Sequence, residues 1–202
     1  MNEHDIDVSN LPLFGYGARS PLWWAEIITI AMLGTVLALL LVTYFYLRIG
    51  ASTWPGPNIP AQNLLVPTLA FALLLLSVVP IHWASRAIQQ GDLRKAGYGL
   101  ALNFLLAIAF LVLRFIDFDQ LGFTWYTSLY GSVIWIVMGF QTLLALVGAL
   151  QTFILLGTVL AHRGGEQRGL GIQIDAMYWY FLALSWIPFY FLLYVYPAFL
   201  GA

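Results

Sequence analysis

The chain has 202 residues, of which 61% are hydrophobic, 16% aromatic and 8% charged, with a net charge of −1. An ordinary soluble domain is about 25% charged, so eight Lys and Arg with nine Asp and Glu cannot solvate a globule of this length. The composition makes a bilayer the natural solvent, excludes disulfides and thiolate chemistry because Cys is absent, and predicts no nucleic-acid partner.

In lipid only helices and closed barrels satisfy every backbone N–H and C=O. The apolar runs are too long and too uniform for the alternating strands of a barrel. The expected fold class is therefore all-α, a polytopic membrane protein with a bundle of five transmembrane helices at about 22–48, 64–89, 93–117, 128–161 and 175–200. Residues 1–20 read as a polar N-terminal arm, and residues 21–202 as a single five-helix transmembrane domain. The arm carries the turn residues Pro12, Gly15 and Gly17. Its acidic start lacks the basic region of a signal peptide, so it is expected to be retained. It is either a floppy tail or a segment docked along a partner.

The first helix opens Pro21-Leu22-Trp23-Trp24-Ala25-Glu26. Pro suits a helix start and Trp a membrane interface. Glu26 is expected in the first turn, where the macrodipole favours an anion, with a buried partner contact as the other reading. The helix ends Tyr44-Phe45-Tyr46-Leu47-Arg48, an aromatic belt with a snorkelling cation. Residues 49–63, with Trp54-Pro55-Gly56-Pro57 and Pro60, form an ordered loop. In the second helix Pro67 falls in the first turn, where it is tolerated, and Pro80 is expected to kink the helix or mark a rearranged turn. His82 follows near its end. Gly91-Asp92 is so short a link that the second and third helices must form an antiparallel hairpin.

Between Asp119 and His162 there is no charged residue. No Pro or turn cluster divides this stretch, so it predicts one long tilted helix entered through Phe123-Thr124-Trp125-Tyr126. At 1.5 Å per residue it reaches roughly 50 Å, more than a hydrocarbon core of about 30 Å. The other four helices are expected to pack around it. A Gly-rich polar linker, His162 to Asp175, leads to the aromatic fifth helix, which Pro188 should bend. With the N-terminus inside, Arg19, Arg86, Arg94, Lys95, Arg163 and Arg168 are cytoplasmic, against Arg48 and Arg114 outside, which favours N-in/C-out.

Charges within a span are functional candidates, and by this reading Arg114 and Asp117 alone qualify. Three apart, they share a helix face and can pair. The pair is read as structural, with a contact to a partner subunit and a proton relay as further readings. His82 reads as an interfacial packing residue. The three histidines, His4, His82 and His162, are not placed to face one another across the bilayer, which argues against a bis-histidine haem. They do not cluster at metal-ligand spacing either. No hydrolase elbow or phosphate loop occurs, so no catalytic, cofactor-binding or metal-binding residues are assigned. Ala145, Ala149 and Thr152 lie at i, i+4 and i+7 and form a small-residue face, for packing within the bundle or against a partner.

Four stretches, in order, resemble one family. They are Leu22-Trp23-Trp24 with Tyr44-Phe45-Tyr46-Leu47-Arg48 and Trp54-Pro55-Gly56-Pro57; His82-Trp83-Ala84 with Gly91-Asp92; Phe110 to Phe118 with Tyr130-Gly131-Ser132 and Gly139-Phe140; and Tyr178-Trp179-Tyr180-Phe181 with Trp186. They are similar to subunit III of the haem–copper oxidases, the cytochrome c oxidase superfamily, in a short five-helix bacterial form and as a divergent member. The family's Gln and Glu at the end of the third helix fall on Arg114 and Asp117. Its His-x-x-His falls on Gln141 and Leu144, its Tyr-Trp-His ends on Tyr180, and its first-helix acid falls near Leu33. The chain thus reads as stripped of most intramembrane polar groups.

The resemblance implies an accessory subunit without redox centres, haem and copper being held by partner subunits. It implies contact with catalytic subunit I and with subunit II, bound phospholipid, and support of sustained proton uptake and oxygen access in aerobic electron transport. It also implies location in a bacterial cytoplasmic (inner) membrane. Candidate structural or partner-interface residues are Glu26, His82, Arg114, Asp117, Ala145, Ala149, Thr152, Trp179 and Trp186. The alternatives are a subunit III-like accessory protein of a nitric oxide reductase and a small-solute transporter. The transporter would need inverted repeats and polar-lined broken helices.

Overall fold

Long apolar runs in lipid have no hydrogen-bond partners but their own backbone, and here they fold as helices throughout. A computed structural model describes residues 20–56, 59–60, 63–161 and 167–197 of the chain. The helices are α1 (Pro21–Gly50), α2 (Leu65–Gln89), α3 (Leu93–Gln120), α4 (Leu129–Leu160) and α5 (Gln167–Tyr190), and α5 continues into a π-helical turn, Phe191–Val195. Five helices are long and apolar enough to cross a membrane, and no strand occurs among the described residues. His4, Arg19 and the arm before it, Pro57, His162, Arg163 and the predicted end of the fifth helix beyond Pro197 lie outside the described residues.

The uncharged stretch is one helix, as its lack of turn residues predicts. At 32 residues α4 is about 48 Å long. Ser128 caps it, its hydroxyl accepting from the Gly131 N–H at 3.0 Å. The segment before it carries Trp125 and Tyr126 on the surface, as an interfacial entry requires.

The α2–α3 hairpin is the closest packing in the bundle. Gly91, at φ +78°, makes the left-handed turn, and Asp92 caps α3 by accepting from the Lys95 N–H at 3.0 Å. That hydrogen bond, together with the Lys95 ammonium at 2.9 Å, holds the exposed Asp92 carboxyl below its usual range. Gly99 lets the two helices touch. A Cβ there would lie 2.7 Å from Ala84 Cβ and 2.8 Å from the Pro80 carbonyl oxygen. α2 continues through Pro80 without interruption.

Three expectations need correction. α5 begins at Gln167, eight residues before 175, because the Gly-rich segment read as a linker packs into the bundle: Leu170 and Ile172 are buried. Glu26 is not in the first turn. Pro21 begins the helix, and the sixth residue lies beyond the reach of the free N–H groups.

The central helix is not α4. α5 packs on α1, α2 and α4, and half of its most apolar window is buried, against a third of that of α4. Uniform hydrophobicity marks a helix that meets lipid as readily as one that meets protein. Trp179 and Trp186 of α5 are the largest fully buried side chains, and α5 also carries the buried carboxylate of Asp175.

Candidate functional site: two buried polar clusters

The first cluster joins the last turns of α3 to the π-helical turn. Arg114 is 1% exposed and Asp117 4%. The spacing of three predicts their pairing, and Arg114 Nη1 donates to Asp117 Oδ2 at 3.0 Å. The Tyr194 hydroxyl donates to the same oxygen at 2.7 Å and lies 3.5 Å from Met138 Sδ of α4. Pro188 removes one backbone donor, and the wider π turn that follows brings Tyr194 inward. The guanidinium stands over Trp186, 4.4 Å from its ring centre, and 5.2 Å from that of Phe110. Among the described residues Nε and Nη2 have no hydrogen-bond partner, so these ring faces are what meets their charge.

The second cluster crosses four helices. Asp175 of α5 is fully buried, and its Oδ2 accepts from the Thr152 hydroxyl of α4 at 2.8 Å. Trp179 Nε1 donates to Thr152 Oγ1 at 2.9 Å. Asn103 of α3 lies opposite. With its amide oriented to satisfy both sides, Nδ2 donates to the Ser77 carbonyl of α2 at 2.8 Å, and Oδ1 accepts from Trp179 Nε1 at 3.0 Å. The other orientation offers only a 3.5 Å contact from Nδ2 to Thr152, so the first is assigned. Glu26 of α1 is half-buried. Among the described residues Glu26 Oε1 and Asp175 Oδ1 have no hydrogen-bond partner.

Ala145, Ala149 and Thr152 are buried. On the same stretch of α4, a Cβ at Gly148 would meet the Tyr178 ring of α5 at 2.9 Å. The small-residue stripe therefore lies within this chain's own bundle. Trp179 and Trp186 belong one to each cluster. His82 is exposed on the flank of α2, where its Nδ1 lies 2.6 Å from the Tyr180 hydroxyl. Arg48 bonds the Tyr196 hydroxyl and stands over its ring, tying α1 to the end of the bundle. Gln141 is fully buried and donates to the Leu182 carbonyl at 3.2 Å, and the Leu144 carbonyl accepts from Tyr178 at 2.8 Å. Both positions thus serve the α4–α5 contact.

The expectation that Arg114 and Asp117 are the only charges within the spans is corrected by Asp175 and Glu26. Asp175 stands at the end of the stretch read as a polar linker, Gln141 is read as the place of a family His, and Asn103 carries no sequence reading. A signal did exist: Asp175, Tyr178 and Trp179 share a helix face at i, i+3 and i+4, and a polar residue inside a span needs a partner. Among the described residues no group of three or more His, Cys, Asp or Glu is placed to hold a metal ion.

The family model of cytochrome c oxidase subunit III matches residues 46–198. Cytochrome c oxidase subunit 3 of Paracentrotus lividus is 32% identical over 143 residues, and those of Coturnix japonica and Anopheles gambiae are 30% identical over 142 and 145 residues. Each alignment covers 70% of this chain and 54 to 55% of the relative. The chain thus spans about half the length of the curated relatives it matches. With the match running from the end of α1 through the π-helical turn, the chain belongs to the cytochrome c oxidase subunit III family.

Proposed function

We propose that the chain is the accessory subunit III of a respiratory haem–copper terminal oxidase. The observation that carries this reading is the family match over residues 46–198, which takes in α2 to α5 and both polar clusters. In this reading haem and copper belong to the catalytic subunit I and to subunit II, against which the bundle sets its apolar outer faces. Candidates for those faces, and for bound phospholipid, are the exposed Leu146, Leu150 and Phe153 of α4 and Leu105 and Val112 of α3. The resemblance to the short five-helix form places the chain in a bacterial cytoplasmic membrane, and the balance of basic residues between loops favours N-in and C-out. The clusters knit the bundle together rather than perform chemistry: Asp117, Asp175 and Thr152 each hold residues of other helices. The subunit's work is to sustain proton uptake and oxygen access in its partner.

The test is to strip the chain from the oxidase and follow oxygen consumption over repeated turnovers. The visible spectrum of the stripped enzyme should be unchanged, while its activity decays faster than that of the intact complex and recovers durability when the chain is restored. Identical decay with and without the chain would overturn the proposed role.

A further inference from the structure

Holding helices together is the part of the first cluster in the proposed function. The same bonds arm one phenol for a reaction of another kind. A phenol gives up an electron readily only if its proton leaves with it, because the oxidised phenol is a very strong acid. It therefore needs a base within hydrogen-bond reach, about 2.6–3.2 Å between heavy atoms. Several phenols here meet only neutral or cationic groups. Tyr178 donates to the Leu144 carbonyl. Tyr190 is bonded to the Thr68 hydroxyl at 2.7 Å, and Thr68 gives its own proton to the Leu64 carbonyl. Tyr196 faces the Arg48 guanidinium. Carbonyl and hydroxyl oxygens accept hydrogen bonds but do not keep a proton.

Two of the described phenols do meet a base. Tyr180 lies 2.6 Å from His82 Nδ1, on the open flank of α2. Tyr194 donates to Asp117 Oδ2 at 2.7 Å, the length of a hydrogen bond to a charged oxygen, and is 3% exposed. Its proton would move along a bond already made. Its electron has a route: the Tyr194 ring centre lies 5.8 Å from that of Tyr190, which stands beside the exposed Thr68 and Phe191 at the edge of the bundle. The neighbouring indole is a poor resting place for a hole. Trp186 faces the Arg114 guanidinium at 4.4 Å, and a cation so close opposes a second positive charge. A radical enclosed at Tyr194 is also kept from coupling with another.

We infer that Tyr194 is a redox-active tyrosine with Asp117 as its proton acceptor. A one-electron oxidant draws an electron from the phenol by way of Tyr190. The phenol O–H bond breaks, and the proton forms an O–H bond with Asp117 Oδ2. The products are a neutral phenoxyl radical and a neutral carboxylic acid beside Arg114, and return of one electron reverses the step. The natural oxidant is of the class that oxygen-reducing metal centres make, a high-valent metal–oxo group or an oxygen radical. That use rests on the proposed function, whereas the site is complete within this chain and its test needs no partner.

The full chain in mild detergent is flash-oxidised with a photoexcited tris(bipyridine)ruthenium complex and a cobalt(III) electron acceptor, so that ruthenium(III) is the oxidant. Electron paramagnetic resonance follows the radical in samples frozen at increasing delays. The expected result is a long-lived phenoxyl signal, coupled in electron–nuclear double resonance to one proton that exchanges with deuterium. Tyr194→Phe, which removes only the hydroxyl, should abolish this signal, and Tyr180→Phe should leave it. Helical circular dichroism should be unchanged in both. The inference is overturned by the absence of a long-lived signal from the unaltered chain, by its survival in Tyr194→Phe, by its loss in Tyr180→Phe, or by a radical without the exchangeable proton.

Discussion

Two of the three guanidinium nitrogens of Arg114 lie among aromatic rings without a hydrogen bond to any described residue, so most of what stabilises this cation is Asp117 on one side and Trp186 on the other. Removing one member of a buried pair leaves an uncompensated charge and costs about 3–5 kcal/mol, whereas removing both leaves none. Arg114→Met and Asp117→Asn should each lower the unfolding free energy in mild detergent by about that amount, and the double variant by less than either. Equal losses from single and double variants would contradict the pairing. Thr152 is the second test. Its hydroxyl meets Asp175 and Trp179, so Thr152→Val should cost about 1–3 kcal/mol and Thr152→Ser much less, measured in the same way. The first cluster was legible because i, i+3 spacing on one helix is visible in the sequence. The second was not, because Ser77, Asn103, Thr152 and Asp175 lie on four helices whose relative rotation no single run of residues records. Tyr194 was hidden for a further reason: its direction depends on the π turn after Pro188.

Among the elements, α2 and α3 approach more closely than any side chain but hydrogen would permit. Gly99→Ala places a methyl group 2.7 Å from Ala84 Cβ and 2.8 Å from a backbone oxygen that cannot move aside. Overpacking of this kind costs about 1–3 kcal/mol. Gly139→Ala and Gly157→Ala, where an added Cβ meets no described atom within 4 Å, should be close to neutral in the same unfolding measurement in mild detergent. If Gly99→Ala unfolds with the other two, the contact is not close. Helix number, the unbroken α4 and the α2–α3 hairpin were legible, because they rest on run length, turn residues and caps. The start of α5 was not, since Gly169, Gly171 and Asp175 have the composition of a loop and become helical only through burial against their neighbours. Nor was the central place of α5: in a membrane the helix with fewest charges is not thereby the one most surrounded by protein.

At the scale of the whole molecule, polar groups lie inside and a wide apolar surface lies outside, with α1 most exposed of all: 6% of its most apolar window is buried. In lipid such a surface is at rest, and it also serves as the face another apolar bundle meets. Membership of the cytochrome c oxidase subunit III family makes the oxidase the proposed partner. The most direct measurement of that claim is purification through a tag on this chain in mild detergent, with a visible spectrum and mass identification of what accompanies it. The account predicts haem absorption bands and a large histidine-rich oxidase subunit in the same fraction. A colourless five-helix protein, intact and alone, would contradict it.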